Sequence, residues 1–268
     1  MLLLLFLAPL AMLAAYSFGT VDVLGRPQLG FTLDNYEQAV QGYNLAIVAR
    51  TVWYAAAATA ICLVLGYTVA YTAARFAGRF SALLVALVVV PWLVSYVVRI
   101  YAWKQLLGDD GIVNSAIGMF GVTPVSWIGT PYAVIGGLVY SYLPLMILPL
   151  YASLKDMDPS LIDAGKDLFG TPRKTFWFVT LPSTRTGVIG GCMLVFLPAL
   201  GDFATAQFLG GAQTTMVGNI VADQFVASGQ QTFGAALSMG LVLLLVVTVL
   251  LGSLLNRRRR GRLSDVVV

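Results

Sequence analysis

The chain has 268 residues, 59% of them hydrophobic and 10% charged, with a net charge of +4 and a mean hydropathy of +0.85. Soluble domains carry about 25% charged residues, so this composition excludes an ordinary water-soluble enzyme and places the chain in a bilayer. There is no histidine, which removes histidine-based metal sites and general bases. The two cysteines, Cys62 and Cys192, sit in apolar runs and read as small core residues rather than as a disulfide or a metal site.

A spanning helix needs roughly 20 mostly apolar residues. Six runs qualify, at residues 1–19, 46–74, 81–103, 131–152, 185–208 and 233–255. All six are expected to be helices, because lipid offers no partner for open backbone groups. The fold class is therefore all-α and polytopic. Residues 1–45 form the first span and an external loop, 46–255 the main transmembrane domain, and 256–268 a basic tail. The first run begins at Met1 without a basic flank, which a cleaved signal peptide or a start further upstream would also explain. Its length and the lack of an A-x-A site support a span.

Lys and Arg set the orientation. Arg75 and Arg79 follow the second run. Lys155, Lys166, Arg173, Lys174 and Arg185 lie between the fourth and fifth, and Arg257, Arg258, Arg259, Arg260 and Arg262 follow the sixth. With six spans these regions share one side, which is then the cytoplasm, and both termini lie there. Asp22, Asp34, Glu37, Asp109, Asp110 and Asp223 fall on the other side. Tyr16, Trp53, Trp92, Trp103, Trp127 and Tyr132 cluster near span ends as interfacial belts do.

The stretch 158–182, DPSLIDAGKDLFGTPRKTFWFVTLP, is too patterned for a simple connector. Asp158 can cap a helix that Pro159 opens, where a missing N–H costs nothing. Leu161, Ile162, Gly165, Leu168 and Phe169 share one face, and Gly170 is placed to end the helix in a left-handed turn. Thr171 and Pro172 repeat the device for a second helix bearing Phe176, Trp177 and Phe178, which Leu181 and Pro182 are expected to stop. Asp163 and Asp167 fit an anionic lipid surface poorly, and Ala164 and Gly165 make a small patch suited to a protein partner.

This loop resembles the signature loop of the membrane subunits of binding-protein-dependent ABC importers. Asp163, Ala164 and Gly165 stand where that family carries Glu-Ala-Ala, and Val179, Leu181 and Pro182 match the far end at the right spacing. Phe169 takes the family's glycine position and Gly170 follows it, so the turn is shifted by one residue. The runs VRIYAWKQLLGDDGIVNS, YSYLPLMILPLYASLKDMDPSLIDA and LVFLPALGDFATAQFLGG are similar to the permease subunits of spermidine/putrescine importers, and the likeness covers nearly the whole chain.

The resemblance implies a MetI-like fold of six transmembrane helices with cytoplasmic coupling helices. It implies as partners an ATPase dimer, a second homologous permease, an extracytoplasmic solute-binding protein and the bilayer of a bacterial inner membrane, with no nucleic acid. ATP and Mg would be bound by the ATPase. In agreement, the chain carries no GxxxxGK[ST] phosphate loop, cofactor motif or catalytic constellation. Leu161, Ala164, Gly165 and Leu168 would supply the face buried against the ATPase, Asp163 and Lys166 its polar contacts, and Gly170, Leu181 and Pro182 the turns.

Charges inside a bilayer default to function. Asp202 follows Pro198 and Gly201 in the fifth run, where a carboxylate suits the ammonium groups of a polyamine, with Trp92, Tyr96, Tyr101, Tyr140 and Tyr142 as cation–π partners. Asp202 could instead pair with Arg99 and hold two helices together. Gly187 and Gly191 form a G-x-x-x-G pair that allows close packing, either within the bundle or against the second permease. A permease for another small organic solute would look the same. Two rival classes are less well matched: an ion-coupled secondary transporter would show more midplane ionisable residues and repeated halves, and an intramembrane enzyme would need a nucleophile with a base or a metal cluster.

Overall fold

The computed structural model describes residues 2–22, 26–121 and 123–264, with backbone alone for 2–4, 6 and 251–264. It is helical throughout apart from a two-stranded antiparallel hairpin, β1 (Thr20–Val21) and β2 (Pro27–Gln28). The helices in chain order are α1 (Leu2–Ser17), α2 (Asp34–Val40), α3 (Gly42–Arg75), α4 (Ser81–Trp92), α5 (Tyr96–Leu107), α6 (Ile112–Met119) and α7 (Pro131–Lys155). There follow α8 (Pro159–Phe169), α9 (Pro172–Thr175), α10 (Leu181–Ser183), α11 (Arg185–Leu200), α12 (Ala204–Leu209), α13 (Val217–Val226) and α14 (Gln231–Ser264).

Three segments are long and apolar enough to cross a bilayer: α3, α7 and residues Gln231–Leu250 of α14. Two further stretches pass only as bent pairs. Gly78–Trp92 and Tyr96–Met119 meet at 89°, and Pro172–Ser183 and Arg185–Leu200 meet at 68°, giving up to five spans among the described residues. The run at 1–19 is helical as expected, with α1 covering 16 of its described residues, but two of the other runs are not continuous helices. The run 81–103 breaks just after Pro91, where Leu93 and Val94 turn back to bond carbonyls only three residues behind. The run 185–208 breaks after Pro198, with α11 ending at Leu200 and α12 starting at Ala204. The basic tail is also not separate, since α14 continues through it to Ser264.

The chain forms two compact units. Met1–Tyr54, Trp103–Val134 and Leu200–Leu251 make the first; Ala55–Ala102, Ile135–Ala199 and Gly252–Val268 make the second. In the first, Arg50 donates to the carbonyls of Gln213 and Thr215, and Thr51 Oγ1 accepts from Val217 N at 3.0 Å, so the start of α3 is tied to the start of α13. Asn114, buried, donates to the carbonyls of Gly108, Asp109 and Val125 and accepts from Val125 N and Trp127 Nε1, closing the loops around α6.

The second unit has a continuous apolar core of Cys62, Tyr67 and Ala70 from α3, Met146, Ile147, Leu150 and Leu154 from α7, and Val195 from α11. Glycines let these helices close up. A Cβ on Gly66 would lie 2.9 Å from Met146 Cγ, one on Gly191 2.7 Å from Met146 Sδ, and one on Gly187 2.6 Å from Ser153 Cβ and 2.7 Å from the Pro149 carbonyl. The Gly187–Gly191 pair therefore packs on α7 inside the bundle. Cys62 and Cys192 are free thiols that belong to this core, as expected of small buried residues.

Candidate functional site

The loop after α7 folds as the sequence dictates at its start. Asp158 Oδ1 accepts from Ser160 N at 2.9 Å, Pro159 fills the first helical position, and Gly170 closes α8 with φ +68°, a conformation that glycine adopts without a steric cost. The bond from the Ser160 backbone, then that from its side chain, holds the Asp158 carboxyl below its ordinary value. The left-handed turn is thus at Gly170, one residue past the position where the importer family carries glycine.

The second helix starts on Pro172, but Thr171 makes no side-chain cap. Leu181 and Pro182 do not stop it. Phe176–Thr180 widens into a π turn in which Leu181 N bonds the Phe176 carbonyl, and the chain stays helical through Ser183 before bending at Thr184. The widened turn makes room for a proline ring that would otherwise press on the carbonyl four residues back.

The two helices pack on each other. Gly165 is buried here, with a Cβ destined to meet Thr175 Cγ2 at 2.8 Å and Val179 Cγ2 at 3.0 Å, and Phe169 stacks on Phe178 with centroids 5.4 Å apart. The single apolar face read from the sequence is therefore two faces. Ile162, Gly165 and Phe169 turn inward, whereas Leu161, Ala164 and Leu168 point out, with Trp177 and Phe178 exposed on the second helix. Gly165, expected on the docking face, is buried against the second helix of the loop. Its partners are ten and fourteen residues on, in a different helix, so no helical wheel could show them. Asp163 and Lys166 pair with each other at 2.9 Å on the outside. Being exposed, that pair contributes little to stability. Leu181 packs on the core of the second unit, and Pro182 is exposed.

Asp202 lies in the first unit, and Trp92, Tyr96, Tyr101, Tyr140 and Tyr142 in the second. Asp202 is buried and its two carboxylate oxygens accept from Thr205 N and Thr205 Oγ1, both at 2.8 Å. It anchors the start of α12, where exposed N–H groups favour a negative charge. Arg99, also buried, donates Nε to the Val94 carbonyl at 3.1 Å, one of the groups opened by the 89° break, and lies over the Tyr96 ring at 5.5 Å. Each charge thus has partners in its own unit. Trp92 donates to the Ser141 carbonyl at 3.0 Å, and Tyr142 reaches the Pro198 carbonyl at 3.5 Å. Tyr101 and Tyr140 are exposed.

Sequence reading missed a cleft of about 550 Å³ in the first unit, whose polar lining includes Gln38, Asn44, Gln207, Asn219, Asp223 and Gln224. Among the described residues no lysine or arginine lines it. Asn219 organises its floor, donating to the Phe203 carbonyl and Gln207 Oε1 and accepting from Met216 N. Its lining is gathered from α2, the starts of α3 and α14, and the short helices α12 and α13, so no single apolar run outlines it. Among the described residues no group of His, Cys, Asp and Glu could hold a metal ion.

Comparison with known proteins agrees with the fold. Residues 63–261 match the family described as the binding-protein-dependent transport system inner membrane component. The chain is 36% identical over 258 residues to the spermidine/putrescine transport system permease protein PotB of Haemophilus influenzae, covering 94% of this chain and 90% of that one. The protein of the same name from Escherichia coli is 36% identical over 256 residues, 93% of each chain. The Escherichia coli inner membrane ABC transporter permease protein YdcU is 30% identical over 246 residues, 87% of this chain and 78% of that one. A chain from the crystal structure of a bacterial ABC transporter that imports the acidic polysaccharide alginate shares the fold, with a TM-score of 0.75 over 95% of this chain and 91% of that one at 14% identity. A polytopic helical bundle with two proline-opened helices in one loop, matched in sequence across three quarters of its length, belongs to the family of inner membrane permease subunits of binding-protein-dependent ABC importers.

Proposed function

We propose that this chain is the polyamine-conducting permease of its importer, working with a second permease, an ATPase dimer and an extracytoplasmic solute-binding protein. The observation that carries the reading is the 36% identity over more than nine-tenths of the chain to permeases named for spermidine and putrescine. The cleft in the first unit supports it, because a carboxylate among amides, with no basic lining among the described residues, suits ammonium groups. Asp202 and the aromatics Trp92, Tyr96, Tyr101, Tyr140 and Tyr142 are the remaining candidates for the path, with Arg99 as the alternative partner of Asp202.

Coupling runs through the 158–182 loop. Leu161, Ala164, Leu168, Trp177 and Phe178 form an exposed apolar patch on a packed two-helix module, which is a surface that a protein partner covers. Asp163 and Lys166 rim the patch and give it polarity. The excess of Lys and Arg in and around this loop and in the 256–268 segment supports a cytoplasmic location for both and for both termini. In the cycle, closure of the ATPase dimer on ATP displaces this module, and the transmembrane helices turn the path outward to receive solute.

The test is uptake by the complete transporter in proteoliposomes with its own binding protein. Labelled spermidine or putrescine accumulates with ATP and is competed by unlabelled polyamine. Uptake of some other organic solute without polyamine competition would overturn the substrate, while leaving the permease assignment intact.

A further inference from the structure

Both ends of the coupling loop are fastened to one stripe of α3. At the exit, Phe176 stands edge-on to Tyr67 (5.4 Å, 84°) and to Tyr71 (6.0 Å, 86°). The Tyr67 hydroxyl lies 2.9 Å from Thr184 Oγ1, and both residues are buried. Thr184 Oγ1 also lies 2.9 Å from the Thr180 carbonyl, so the two hydroxyls and that carbonyl form one buried hydrogen-bonded chain. At the entrance, Arg75 donates Nη2 to the carbonyls of Leu154 and Met157 at 3.0 and 3.3 Å, just before the Asp158 cap. Tyr67, Tyr71 and Arg75 are spaced i, i+4, i+8 and so lie on one face.

We propose that this stripe is the clamp that transmits the loop's displacement to α3, an inference resting on the coupling-loop reading above. A load passes along a chain only if the joints are stiffer than the load path. The weak joint is Thr184, where the backbone leaves helical geometry (φ −96°, ψ 9°) and the segments meet at 68°. The Tyr67 hydroxyl pins that joint, and Phe176 wedged against two rings prevents the loop from swivelling about it. With Arg75 holding the other end, α3 moves when the loop moves. Tyr67, Thr184 and Phe176 act here as positioning residues, through their contacts with one another.

The experiment uses the whole transporter in lipid nanodiscs. Cys62 and Cys192 are replaced by Ala, and a spin label is placed at Trp53→Cys, an exposed position well along α3. Trapping the ATPase with ATP and vanadate shifts the label's spectrum in the parent protein. In Tyr67→Phe and Thr184→Val the ATPase subunit still copurifies and hydrolyses ATP, but the shift shrinks at least about fivefold. The double variant is no worse than the worse single one, because both remove the same bond. Thr184→Ser, which keeps the hydroxyl, restores the shift. A parent label that ignores vanadate, or a full shift in Tyr67→Phe, overturns the clamp. Leu168→Glu serves as the separate check on docking: it loses the ATPase subunit if the loop is the docking site, and if it does not, the coupling reading itself fails.

Discussion

Gly165 offers a measurable contest between packing and docking. A Cβ there would sit 2.8 Å from Thr175 Cγ2 and 3.0 Å from Val179 Cγ2. Carbon atoms prefer about 3.5–4.0 Å, so the shortfall is roughly 0.5–1 Å on two sides. Both opposing methyls belong to β-branched side chains whose χ1 is stiff in a helix, and Thr175 is buried, so the helices must separate. Overpacking of this kind costs about 1–3 kcal/mol. Alanine recovers about 1 kcal/mol in helix propensity over glycine, which leaves Gly165→Ala between neutral and about 2 kcal/mol unfavourable. Gly165→Val adds two methyls with less propensity gain and falls near 3 kcal/mol or above, roughly a hundredfold in local opening. Hydrogen exchange of the amides 172–180 in the purified complex reads this directly. Protection falls by up to about thirtyfold in Gly165→Ala and by about two orders of magnitude in Gly165→Val. Unchanged exchange combined with loss of the ATPase would show that the residue faces the partner, and the packing argument would be wrong.

Three other outcomes follow from contacts already described. Gly187→Leu, which drives a side chain into Ser153 Cβ and the Pro149 carbonyl, lowers the unfolding temperature in detergent by the equivalent of at least about 3 kcal/mol, whereas Gly136→Leu, with open space at its Cβ, does not; equal melting would contradict the α7–α11 packing. Asp158 has its carboxyl lowered by bonds that exist only in the folded loop, so its cap is present at and above the ordinary aspartate range and is lost as pH falls through the lowered value. Exchange protection of the first turn of α8 therefore stays constant from pH 7 to about 5 and declines only below about 4, and a decline already at pH 6 would assign it to another group. Asp202→Asn keeps one acceptor for Thr205 N and reverses the second contact, with the amide N–H donating to Thr205 Oγ1, so a charge-assisted bond becomes a neutral one at a cost of about 1 kcal/mol, with the complex still assembled. An unaltered melting temperature would remove Asp202 from that turn.

What could be read without coordinates was whatever is encoded within a few residues. Asp158, Pro159 and Gly170 each act on their own turn, so their spacing alone located α8. Membership of the importer family was legible because Leu181, Pro182 and Val179 keep their distance from Asp163 whatever lies between. The bends at 93–95 and 201–203 escaped because counting apolar residues ignores direction: Pro91 and Pro198 were visible, but how far the chain turns depends on which carbonyls find new partners. Arg99 supplies one of those partners and Thr205 helps fix the other end, and both contacts are short-range in sequence yet meaningless until the break is known. Gly165 and the amide-lined cleft were invisible for the opposite reason, since their partners come from other helices.

The five-residue turn at Phe176–Thr180 sets the phase of everything around it. Thr175, Thr180 and Thr184 are all buried. On an uninterrupted α-helix, at about 100° per residue, Thr180 would be some 140° away from Thr175. The wide turn takes up part of that surplus, so that all three threonines can be buried. Removing one residue from that turn would shorten the loop only slightly but rotate Pro172–Thr175 by about 100° against the membrane helix, carrying α8 with it. Substitutions there alter a side chain, whereas a deletion changes the direction in which the whole module faces.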